Sequence, residues 1–356
     1  MRIVIAPAAF KGTLSARDAA AAMALGARDA QPDAEIIEMP MADGGDGTLD
    51  VMLGHGYSVL EIDAVDALGR PCSSRIGISA DTAFIELAEV CGIARLTELD
   101  PIHASSRGLG LAMRAALDAG ARHLIVAIGG SASTDGGLGM LMALGLAATD
   151  VAGRPVSPDL AGLGRIAGVD SSGLDPRISW VTLLTDVESP LLGPSGAAHA
   201  FGPQKGLAPD QCAWADDLLE RWGELIDPGG AFVMLPGAGA AGGVGFAALT
   251  VLGAERRSGA AAIAELIDLE THVSAADLVL TGEGAFDTST AAGKAPARVI
   301  EVARDASVPV EVISGRAAPG LMSLQELAGS PESAMAEPAR WLREAARQIV
   351  TKVAVP

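Results

Sequence analysis

Residues 2–48 read RIVIAPAAFKGTLSARDAAAAMALGARDAQPDAEIIEMPMADGGDGT, and this stretch decides the fold. Arg2 to Ala6 is a short β-run. Ser15, followed three residues later by Asp18, signals a capped start to an alanine-rich helix that runs to about Asp29. Pro32 and Asp33 turn the chain, Glu35 to Met39 reads as a second strand, and Thr48 to Leu53 is helical behind the loop PMADGGDGT. Two strands with one intervening helix make a βαβ unit, and such units build right-handed parallel sheets.

Beyond this stretch the texture changes. From Tyr57 to Glu86 short alternating runs with turns at Gly69–Pro71 and Ala80–Asp81 suggest antiparallel strands of another sheet, with a domain boundary near residue 60. Helical periodicity returns from Gly108 to Ala119. His123 to Ile128 is a buried strand entering GGSASTDGGLG and a helix from Met140 to Leu146. The same grammar recurs where Val181 to Leu184 enters TDVESPL and where Leu278 to Leu280 enters TGEGAFD ahead of a helix from Ala295 to Ala306. Val308 to Ile313 is a last strand and Ala339 to Val353 a terminal helix, while Ser323 to Glu337 reads as a mobile surface connection.

Composition narrows the function. The 356 residues are 49% hydrophobic, enough for two domains with filled cores, and only 3% aromatic, which leaves little for base-stacking platforms. A formal net charge of -19 repels nucleic acid and anionic lipid, so any anionic ligand must be captured by local amides and a few placed cations. The start is too short and too early broken, at Pro7, for a signal peptide, no apolar stretch suits a membrane span, and three cysteines lack metal spacing. A cytoplasmic protein with reduced thiols is expected. Only four of the 25 basic residues are lysines, Lys11, Lys205, Lys294 and Lys352, and three of them stand in glycine-flanked loops. A compact ammonium in such a loop suits a phosphate; chance placement is the alternative.

In open α/β sheets ligands sit beyond the carboxyl ends of the strands. PMADGGDGT, GGSASTDGG and TGEGAFD all follow strands and combine glycine, which lets backbone approach phosphate oxygens, with acids that can hold magnesium. Each alone is equally a strand-to-helix turn needing positive φ; three together point to a phosphate site. No stretch reads G-x-x-x-x-G-K-S/T, no dinucleotide fingerprint or G-x-S-x-G elbow occurs, and the five histidines are scattered.

These segments, in this order, resemble the bacterial glycerate kinases. The matching stretches span residue 1 to about 316 and include IVIAP with FKG, PMADGGDGT, TAFIELA, SSRG, IGGSA with DGGLGM, FGPQKG, PGAGAAGG, ADLVLTGEG and GKAP. The resemblance implies an α/β protein with a discontinuous flavodoxin-like parallel-sheet domain, 1–60 and 262–356, and an inserted α/β domain, 61–261. It places the active site in the cleft between them. It also implies magnesium-dependent transfer of the γ-phosphoryl group of ATP to a hydroxyl of glycerate. Partners are then the small hydroxy acid, without nucleic acid or membrane, and homo-oligomerisation is left open.

Within that resemblance, residue type and placement give Asp186 as the base that accepts the acceptor-hydroxyl proton, with Lys11 and Lys205 as phosphate cations. Gly129, Gly130, Ser131, Asp135, Gly136, Gly137, Gly242 and Gly243 form the nucleotide loops. Asp43, Gly44, Gly45, Ser106, Arg107 and Lys294 bind substrate, and Glu283 with Asp287 hold Mg2+. Departures from the family's pattern fall at Ala8, Ala9, Ala104, Ser105, Leu109, Leu111, Thr134, Ser189, Ala285, Phe286 and Ser289, with the glycine framework kept and several polar heads shortened or removed. They raise two expectations: a pocket shifted toward a larger or less polar acid, or a kinase scaffold that binds a metabolite with little transfer.

Overall fold

The structure, a computed structural model, describes residues 1–286, 294–316 and 319–354. The strands are, in chain order, β1 (Arg2–Ile5), β2 (Glu35–Glu38), β3 (Ser58–Val65), β4 (Pro71–Ser79), β5 (Thr82–Glu86) and β6 (His123–Ala127). Then come β7 (Ala147–Thr149), β8 (Gly168–Asp170), β9 (Trp180–Leu184), β10 (Glu255–Arg257), β11 (Leu278–Glu283), β12 (Val310–Ser314) and β13 (Met322–Ser323). The chain divides into two compact units, Met1–Asp43 with Ser258–Pro356, and Gly44–Arg257.

The first unit carries a sheet in the order β13-β12-β11-β1-β2, parallel at every pairing. Numbered within the unit this is 2-1-3-4-5, the flavodoxin-like order. Ser15 accepts from the Asp18 amide at 3.1 Å, the expected cap of helix Ala16–Ala30. Ile3, Ile5, Leu280 and Ile313 of the sheet pack with Met23 of that helix and Leu342 and Ile349 of helix Pro338–Ala354 in one core. A Cβ on Gly26 would lie 2.0 Å from the Arg343 carbonyl oxygen, so these two helices cross backbone against backbone. Ser323 to Glu337 is not the surface connection expected. It forms helices Leu324–Ala328 and Pro331–Ala336, capped by Ser323 and Ser330, and Leu324 and Ala334 are buried in the core.

The second unit has a six-stranded sheet, β10-β9-β6-β5-β4-β3, parallel from β10 to β5 and antiparallel from β5 to β3. The alternating texture of Tyr57 to Glu86 is this meander. Residues 44 to 60, expected with the first unit, go with the second. Helix Thr48–Leu53 is tied there, because Glu86 accepts from the Gly47 and Leu49 amides at 2.9 and 2.7 Å. The core sets Ile76, Ile85, Val126 and Leu183 against Leu109 and Met113 of helix Arg107–Asp118, with Trp222 filling another side. Ala104 and Leu109, 1% and 0% exposed, lie inside this core, so neither enlarges a substrate pocket as the sequence suggested.

Candidate active site

The parallel strands of both sheets end in the loops the sequence singled out, and the second unit brings two of them into contact. The Gly129 amide donates to the Gly44 carbonyl at 3.0 Å. A Cβ on Gly129 would meet Gly45 Cα at 2.5 Å, and one on Gly130 would meet an Asp46 carboxylate oxygen at 2.3 Å. Glycine is required at Gly129 because backbone passes where a side chain would stand, and at Gly130 its φ of 72° is the left-handed conformation that favours glycine.

Beside this junction lies a pocket of about 410 Å³. Its polar wall is Gly129, Gly130, Ser131, Thr185, Gln204 and Lys205; its apolar wall is Ile93, Ile128, Val187, Phe201, Ala240 and Ala241. Lys205 is 2% exposed and donates to Ser131 Oγ at 2.8 Å and to the Ser133 carbonyl at 2.5 Å. Burial drives its ammonium down to about 7, against the pull of the Asp135 charge. Among the described residues no carboxylate pairs with it at ion-pair distance. An ammonium has three N–H groups, and two have protein acceptors. Thr185 and Val187 flank Asp186, which is itself half-buried just past the end of β9, and the Val187 amide donates to Thr185 Oγ1 at 3.2 Å to fix that turn.

Other expected site residues turn out to be interior. Asp135 has no exposed surface and accepts from the Ser106 amide and hydroxyl, both at 2.7 Å, and from the Gly137 and Gly139 amides, both at 3.2 Å. Burial raises its pKa, with the four hydrogen bonds acting the other way. Ser106 is buried between Asp135 and the Met140 amide, which donates to its hydroxyl. Gly136 and Gly137 pack against Trp222 and Ala247, and Gly242 and Gly243 against the backbone of Ser133 and Gly136. All six are buried and brace the loop. The Ser133 and Thr134 hydroxyls are buried without hydrogen-bond partners among the described residues.

Arg107 is exposed, and in the first unit Lys11 is exposed while Asp43, Glu283 and Lys294 are half-buried. Asp287 and Ser289 lie outside the described residues. Among the described residues no three His, Cys, Asp or Glu side chains converge as a metal cage would require. No helix among them is long and apolar enough to cross a membrane. Sequence reasoning missed Glu86. It is buried at the end of β5, and desolvation raises it to about 7 even though two backbone amides bind it. An acid closing the apolar run TAFIE was the available signal.

A buried lysine with no carboxylate at ion-pair distance among the described residues, beside strand-end glycine loops on an α/β frame, suits an anionic small molecule, as an α/β enzyme that handles phosphate requires. Comparison with known proteins narrows this. The chain belongs to the glycerate kinase family, whose sequence pattern matches residues 3–354. It is 40% identical to the glycerate kinase of Bacillus subtilis and 39% identical to the glycerate 2-kinase of Escherichia coli, each over 324 residues that cover 88% of this chain and 85% of the relative. A crystal structure assigned as glycerate kinase 2 from Salmonella typhimurium superimposes with a TM-score of 0.86 at 36% identity, covering 99% of this chain and 98% of that one.

Proposed function

We propose that the chain transfers the γ-phosphoryl group of ATP to a hydroxyl of glycerate, releasing ADP and a phosphoglycerate. The observation that carries the reading is Lys205, held at the wall of a pocket with two of its three N–H groups engaged. Phosphoryl transfer asks a protein for positioning and charge stabilisation more than for covalent chemistry. A pocket of about 410 Å³ with half its wall apolar suits a nucleotide and is far larger than a three-carbon acid needs. A phosphate favours the protonated form of Lys205, whose remaining N–H then meets its charge, and the Gly129–Ser131 backbone lies alongside. Asp186 accepts the acceptor-hydroxyl proton as the new O–P bond forms. The bond from the γ-phosphorus to the bridging oxygen breaks, and ADP leaves with its electron pair.

In the second unit the reading gives Gly44, Gly45 and Arg107 to the hydroxy acid. In the first it gives Lys11 to phosphate, Asp43 and Lys294 to the hydroxy acid, and Glu283 with Asp287 to magnesium. Mg2+ takes one or two carboxylates and fills its shell with phosphate and water, so the donor set fits without a protein cage. When bound it shields phosphate charge. The test is a coupled assay of ADP release across a panel of small hydroxy acids, with and without magnesium. Glycerate-dependent, magnesium-dependent release is expected; ADP release with no acceptor dependence contradicts the reading.

A further inference from the structure

We propose that Glu86 is a positioning residue for phosphoryl transfer: its carboxylate clamps the Gly44–Gly47 loop, and through that loop sets the place of the Gly129–Gly130 wall of the pocket. The inference rests on the functional reading above. Glu86 is the last residue of β5 and is 2% exposed. Both of its oxygens are used: Oε1 accepts from the Gly47 amide at 2.9 Å and Oε2 from the Leu49 amide at 2.7 Å. These amides open helix Thr48–Leu53, whose own N-cap residue, Gly47, has no side chain to serve them. The loop so anchored is the one that lies on the pocket wall. Gly44 receives the Gly129 amide, Gly45 leaves no room for a Cβ at Gly129, and the Asp46 carboxylate covers Gly130. Gly129 and Gly130 line the same pocket as Lys205. A displacement of residues 44–47 is therefore a displacement of that wall.

The choice of residue supports the role. A buried carboxylate without a cation is costly, and among the described residues none pairs with Glu86. Burial accordingly raises it to about 7, with Glu89 and Asp46 adding to the rise. An apolar residue at the end of β5 would avoid that desolvation cost but strand the Gly47 and Leu49 amides. What it could not do is accept two amides at once. Glutamine offers one acceptor and sets its NH2 against a backbone N–H.

The experiment uses Glu86→Gln and Glu86→Asp in the full chain, with KM and kcat for ATP and glycerate, thermal midpoints, and amide hydrogen exchange at Gly47 and Leu49. For E86Q the expected result is exchange about tenfold faster or more at one or both amides. KM should rise about tenfold or more for ATP, with a smaller change in kcat, the fold-change of roughly one lost charge-assisted hydrogen bond. E86D keeps the charge but stands one methylene short, and should fall between wild type and E86Q; it carries the test where E86Q fails to fold. A merely structural residue would lower the midpoint and the active fraction and leave KM where it was. Unchanged KM values in both variants overturn the proposal while the kinase reading stands. A wild type that transfers phosphate to no hydroxy acid overturns the kinase reading, and with it the positioning role, even where amide exchange differs.

Discussion

Replacing Lys205 by methionine should separate function from stability, because the structure gives this residue opposite effects on the two. Its ammonium is lowered from 10.5 to about 7 by burial, a difference of about 5 kcal/mol between charged and neutral forms. The sign follows from linkage. Between pH 7 and 10.5 the unfolded chain holds the Lys205 proton and the folded chain does not, so this residue makes wild-type stability rise with pH across that window. Below about pH 7 the folded protein buries a charge at full cost. Lys205→Met removes that dependence. It also strands Ser131 Oγ and the Ser133 carbonyl, at about 1–3 kcal/mol each, so the two proteins should be close in stability near neutrality. The assay is urea unfolding of both at intervals from pH 6.5 to 9.5. The stability of wild type relative to the variant should climb by roughly 1 kcal/mol per pH unit above pH 7.5. Kinase turnover in the variant should fall by about 100-fold or more. Parallel stability curves, or turnover within threefold of wild type, would refute the assignment.

Asp186→Asn should lower turnover by about 100-fold with nucleotide affinity near wild type, as for a lost general base; single-turnover rates beside equilibrium ATP binding decide it. Lys11 is exposed, so Lys11→Met should weaken ATP kinetics without moving the thermal midpoint; a fall in the midpoint with unchanged ATP kinetics would end its phosphate role. Leu109→Thr, which restores a polar group where the family's pattern has one, should cost about 1–3 kcal/mol by burying a hydroxyl in the core and should not improve glycerate KM. An improved KM would return that position to the pocket.

The strand-loop-helix grammar was legible because local signals and the tertiary structure agree there. Ser15 caps the helix it announced, the apolar runs at Arg2 and Leu278 pair side by side, and the alternation from Tyr57 to Glu86 is a meander. Less visible was which polar residue faces outward. An aspartate in a glycine loop reads the same whether it greets a phosphate or, like Asp135, is closed in by Ser106, 29 residues earlier in the chain. Glu86 hides for the converse reason: its partners, Gly47 and Leu49, are backbone amides, which no side-chain pattern records. Leu109 looked like a pruned substrate contact because the helix that turns it into the core is set by contacts distant in sequence. At Ser330–Pro331 the cap and first-turn proline were present in the sequence and outweighed by the polar composition around them.

The central claim is phosphate transfer from ATP to glycerate at a site that depends on Lys205, and one measurement reaches it most directly. Purified wild type and Lys205→Met are each incubated with ATP, magnesium and D-glycerate, with ADP release followed continuously and the phosphorylated product identified by mass and phosphorus NMR. The expected result is stoichiometric ADP and phosphoglycerate from wild type, with kcat/KM of about 10⁴ M⁻¹s⁻¹ or higher, and a loss of about 100-fold or more in the variant. ADP release that ignores glycerate, or a variant that makes phosphoglycerate as fast as wild type, would contradict it.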